Sequence, residues 1–173
     1  VDILSDIISL LIWVLVGWPF CLMLHESGHA SMILLLTKQK VTFQFGVRGT
    51  KREFQWGRLS ILMYFELSAL FFCRYRLENK ANLSRFQDFW ITVGGPLASL
   101  LFTILFGALW LGLNTVDPWR GLAIFNLVSF LSSIIPRYND RWQGVAAGIP
   151  NDGLQLVQLI QQVNEDKNGG SHR

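Results

Sequence analysis

His25, Glu26, Ser27, Gly28 and His29 form an HExxH pattern. On a helix, residues i and i+4 share one face, so both imidazoles reach a single ion. Two imidazoles and a carboxylate suit Zn2+ with one position left open. Zinc lowers the pKa of a bound water to about 7 and so makes hydroxide available at neutral pH. Glu26, between the two His, stands where it can take that water's proton. The pattern predicts metal-assisted hydrolysis, with His25 and His29 as ligands and Glu26 as general base.

A third ligand must come from elsewhere. The chain has three His, and His172 is discounted because it lies in a polar tail. Cys21 stands one turn before His25 and is a soft donor, although a free Cys in apolar sequence is commonly a small buried hydrophobe. Glu66 and Asp152 are the acids near apolar sequence, and ligand chemistry admits either. Asp152 is preferred because it stands where a loop meets a helix, beside Pro150 and Gly153, and can be aimed at the first helix.

The elements that must hold these residues are apolar. Ile7 to Leu24 is nearly uninterrupted, and the apolar run resumes after His29 as far as Leu36. A helix over 7–36 runs about 45 Å at 1.5 Å per residue, with a kink expected at Pro19. A signal peptide fits poorly, since Asp2 and Asp6 occupy the place of a basic leader. Residues 89–113 form the clearest span, with Gly94, Gly95 and Pro96 letting a neighbouring helix approach closely. Residues 122–135 form a third span that Pro136 ends. Residues 137–150 read as a polar loop, 151–163 as a short metal-bearing helix, and 164–173 as a loose tail.

Between the first two spans, 41–47 and 53–56 alternate apolar and polar. With the turn-like stretch 48–52 they predict a β-hairpin in the region 41–62. Residues 59–73 are apolar but short for a span, and read as interfacial or re-entrant. Residues 74–87 read as polar and exposed. The fold class is therefore mainly α: a single polytopic membrane domain with three transmembrane helices, a β-hairpin after the first and a short helix carrying Asp152.

Composition agrees with a membrane chain. Charged residues make up 16% of the 173, against about 25% in soluble domains. Low charge and high hydrophobicity exclude a disordered chain, and two Cys exclude a disulfide scaffold. The net charge is +3, but the basic residues cluster by position and line no polar face, so nucleic acid is not expected as a partner. Residues 37–87 hold ten Lys and Arg against three acids. Under the positive-inside rule that segment is cytoplasmic, which puts the N-terminus outside. Two His and a Glu inside an apolar helix are expensive in lipid and functional by default.

These features together resemble the site-2 protease family of intramembrane zinc metalloproteases. The likeness rests on the HESGH stretch at 25–29, on Gly94, Gly95, Pro96, Leu97 and Ala98 in a second span, and on Asp152-Gly153 at a last helix. Asn126 in Phe125-Asn126-Leu127, followed by Pro136, is similar to that family's Asn-and-Pro stretch. The resemblance implies His25, His29 and Asp152 as zinc ligands and Glu26 as general base. It also implies that Asn126 helps hold the substrate or the developing oxyanion. The family often has only a few residues between its Pro and its Asp-Gly, whereas residues 137–151 intervene here.

A substrate helix hides its scissile carbonyls in its own hydrogen bonds and must be unwound. An exposed strand edge can hold the extended form by β-augmentation, and the hairpin over 41–56 offers such an edge; an ordinary cytosolic hairpin is the alternative. The expected activity is zinc endopeptidase action on a membrane-embedded or membrane-associated peptide, in contact with the lipid bilayer. The alternatives are a non-catalytic membrane metal-binding or transport protein with the same ligands, and a soluble zincin with a very apolar core.

Overall fold

The computed structural model describes residues 3–47, 49–65, 72–113, 118–139 and 148–169. About two thirds of them are helical, beside one small sheet. The first helical stretch runs from Ile3 to Leu36 in three parts: α1 (Ile3–Ile12), a π-helical turn (Trp13–Gly17) and α2 (Trp18–Leu36). Pro19 lies in the first turn of α2. It has no N–H to donate, and its ring crowds the carbonyl four residues back. The expected disturbance at Pro19 therefore takes the form of a widened turn just before it, in which the Trp18 N–H reaches back to the Trp13 carbonyl. That turn throws the Trp13 ring onto Gly121, where a Cβ would lie 2.8 Å from the indole.

The sheet has the order β2-β3-β1-β4, with β1 Val41–Phe45, β2 Thr50–Trp56, β3 Leu59–Phe65 and β4 Cys73–Leu77. The predicted hairpin over 41–56 is corrected. The hairpin is β2 with β3, Thr50 opposite Phe65 and Trp56 opposite Leu59. Its turn is Gly57-Arg58, and Gly57 takes a φ of 59° that favours glycine. β1 instead lies parallel to β3 and antiparallel to β4.

Period-two burial explains the change. Val41, Phe43 and Phe45 pair in register with Leu59, Ile61 and Met63, giving one continuous apolar face. The piece 59–65 is thus a strand and no re-entrant segment, and within 74–87 the residues up to Leu77 form β4. Val41 and Phe43 meet Ala30, Ile33 and Ile91 in the core between sheet, α2 and the next helix.

That next helix is α3 (Arg85–Leu113). It packs tightly on α2: a Cβ on Gly28 would fall 2.1 Å from the Gly94 carbonyl oxygen. α4 (Pro118–Ile134) follows and stops before Pro136. Two helical stretches, Leu10–Leu36 and Arg85–Leu113, are long and apolar enough to cross a membrane. The expected third span over 122–135 is corrected. α4 has 17 residues, about 26 Å at 1.5 Å each, against a hydrocarbon core of about 30 Å. It also carries Asn126, Ser129 and Ser133 buried toward its neighbours. α5 (Asp152–Gly169) is longer than expected, since the helix continues through much of the predicted tail. Cys21 and Cys73 are both free.

Candidate metal centre

α2 delivers both imidazoles to one face, buried to 7% and 1% exposure for His25 and His29. Their ring centroids are 5.1 Å apart and the rings nearly perpendicular. Asp152, the first residue of α5, reaches them from more than a hundred residues away. Its Oδ2 lies 3.0 Å from His25 Nε2 and 3.5 Å from His29 Nε2. One donor atom from each of the three residues falls within 4.8 Å of the other two.

The outer nitrogens are already engaged. His29 Nδ1 donates to the Ile91 carbonyl at 2.6 Å. A carbonyl only accepts, so the ring proton of neutral His29 sits on Nδ1 and Nε2 presents a lone pair. His25 Nδ1 hydrogen bonds the Ser99 hydroxyl at 2.9 Å. Such partners set tautomer and ring orientation for a metal ligand. Both Nε2 atoms then face the Asp152 carboxylate, an arrangement that repels unless a proton or a cation lies among them.

The space between them is kept open by Gly95 on α3. A Cβ there would fall 2.2 Å from His29 Nε2 and 2.6 Å from His25 Nε2. Donor set, tautomer and cradle all fit a divalent ion of the zinc class.

Electrostatics follow from this packing. With protons rather than a cation among the three groups, burial pushes the Asp152 carboxyl up, but a charged His29 and hydrogen bonds from both imidazoles outweigh it and hold the group below the usual carboxylate range. Burial, with the nearby Glu26 and Asp152 charges, raises the Tyr75 phenol above its ordinary value. The Tyr75 ring covers His29 at a centroid distance of 4.7 Å.

Among the described residues Glu26 makes no hydrogen bond or ion pair with the ligand cluster. Its Oε2 accepts the Tyr75 backbone N–H at 2.9 Å. That N–H points away from β1, because β4 is the margin of the sheet among the described residues. Asn126 is completely buried one turn of α2 away from His25. Its Nδ2 donates to the Leu122 carbonyl at 2.8 Å and to Cys21 Sγ at 3.1 Å. Its Oδ1 has no hydrogen-bond partner among the described residues. Cys21 is therefore occupied by Asn126 and lies outside the cluster. Glu66, the other acid considered as third ligand, and His172 lie outside the described residues.

Ser99 and Tyr75 escape the sequence reading. Ser99 follows Gly95 by four residues, one helical turn, so the face Gly95 offers α2 was a signal for it. Tyr75 carried no such signal, because only strand pairing brings its N–H to Glu26. No protein-family model matches the chain, and no curated protein matches it.

Proposed function

We propose that this chain is a zinc-dependent endopeptidase working within the membrane on an extended peptide, of the site-2 protease kind. The observation that carries the reading is the meeting of both HExxH imidazoles with Asp152, each imidazole anchored through Nδ1 and backed by Gly95.

His25, His29 and Asp152 would hold the zinc, which when bound supplies Lewis acidity and an acidified water. Glu26 sits on the same helix, one residue from His25, and serves as the proton carrier. It takes the proton of the attacking water and returns it to the leaving amine. The Tyr75 N–H fixes the carboxylate's direction in the meantime. Burial of both imidazoles excludes bulk water from the ligand face. Asn126 would hold substrate only where that buried layer opens, since its side chain is fully buried and its Nδ2 is engaged by Leu122 and Cys21.

Among the described residues the sheet edge nearest the cluster is β4, where Glu26 already takes the Tyr75 N–H. β1 lies between β3 and β4, so the edge-pairing role expected of 41–47 moves to 73–77. An extended substrate on that edge would run past Glu26. Leu10–Leu36 and Arg85–Leu113 would cross the bilayer, with the basic segment 37–87 on the cytoplasmic side.

Glu26→Gln tests the reading. Zinc content should be unchanged, while membrane peptides compared by mass spectrometry between cells carrying wild type and Glu26→Gln should show fragments that vanish with the variant. Fragments that persist would remove Glu26 from the chemistry. The second reading, a non-catalytic metal carrier, is favoured by one observation, the engagement of Glu26 by Tyr75. It predicts identical peptide profiles together with altered zinc handling.

A further inference from the structure

Asn151 uses every hydrogen-bonding position of its side-chain amide. Its Oδ1 accepts the Leu154 N–H at 3.1 Å, which caps the N-terminus of α5. The same oxygen accepts the Arg137 N–H at 3.0 Å. Its Nδ2 donates to the carbonyls of Ser132 at 3.0 Å and Ile135 at 2.7 Å. The Ser132 carbonyl lies in the last turn of α4, where Pro136 has no N–H to offer it, and the Ile135 carbonyl lies just beyond the helix. The Asn151 backbone adds an N–H to the Arg137 carbonyl at 3.0 Å and a carbonyl to the Gln155 N–H at 2.9 Å.

One side chain thus caps the end of α4 and the start of α5 together, and the next residue is Asp152. Gly153 completes the junction, since a Cβ there would lie 2.3 Å from the Ile134 carbonyl oxygen. We propose that Asn151 is a positioning residue for the metal site: by bolting α5 to the broken end of α4 it sets where the Asp152 carboxylate stands against His25 and His29. The inference rests on the metal-site reading above. Asp keeps the two acceptor bonds but would face two carbonyl oxygens with no donor, and Ala keeps neither set.

The test is zinc affinity of the full chain in detergent micelles, by competition with a chromophoric chelator, for wild type, Asn151→Ala, Asn151→Asp and Asp152→Ala. Helix content is checked by circular dichroism. Loss of an outer-shell partner typically weakens metal binding by about 10–100-fold, and that range is expected for both Asn151 variants. A role limited to helix capping would leave Asn151→Asp at wild-type affinity, because the cap to Leu154 survives, and that result would overturn the proposal. Asn151→Asp also decides the matter if Asn151→Ala does not fold. Wild-type affinity in both Asn151 variants alongside a loss in Asp152→Ala would refute the positioning role alone. Wild-type affinity in Asp152→Ala would refute the metal-site reading itself.

Discussion

The two halves of the metal cluster are built by opposite means. The imidazole half is local: two residues four apart on one helix, pressed against α3 so closely that Gly28, Gly94 and Gly95 admit no side chain. The carboxylate half is assembled: a helix broken at Pro136, a return segment, and a new helix whose first residue is Asp152. Close helix packing dominates the first half, with a hydrogen bond at each ring's Nδ1, and a network of hydrogen bonds from Asn151 dominates the second. The imidazole half should therefore fail abruptly under added volume. The carboxylate half should fail gradually as individual bonds are removed.

The largest expected effect breaks the imidazole half by volume. Gly95→Ala places a methyl group inside the ligand space, so zinc stoichiometry by elemental analysis of the purified protein should fall from one to none. Full zinc occupancy in that variant would mean the helices slide apart at little cost, and the contrast with the carboxylate half would disappear. A middle effect comes from Ser99→Ala, which frees His25 Nδ1 without adding volume. Zinc affinity should drop by about 10–100-fold, while thermal stability changes by about 1 kcal/mol. An equal loss of stability and of affinity would make Ser99 a packing residue only.

The smallest effect belongs to Arg58, whose guanidinium donates to the Leu34 carbonyl at 2.7 Å and also to the Thr37 carbonyl at the end of α2. That contact complements the negative helix end. Arg58→Ala should lower thermal stability by about 0.3–1 kcal/mol and leave zinc affinity unchanged. A shift in affinity would extend the site to the β2–β3 turn.

The same contrast explains what could be read from the sequence. HExxH is legible because helical spacing alone brings its members together. Asp152 was legible only as a preference over Glu66, because no spacing rule links residue 25 to residue 152. The close approach of the helices at Gly94 was visible as small residues in an apolar run. The sheet was misread because alternation shows that a segment is a strand and leaves its partner open. β1 has two partners, β3 and β4, and neither is the strand that follows it. The third span was misread because apolar content was weighed without the three buried polar residues that α4 turns inward.

The π-helical turn over Trp13–Gly17 has a consequence for everything before it. Such a turn holds one residue more than its α-helical equivalent, and one residue on an α-helix is a rotation of about 100°. α1 is therefore set in a different rotational phase from α2, although the two share one continuous path. Removing one residue from 13–17 would turn the outer face of α1 by that angle and leave His25 and His29 where they are. The N-terminal stretch can change which neighbours it faces without any change to the metal-bearing helix.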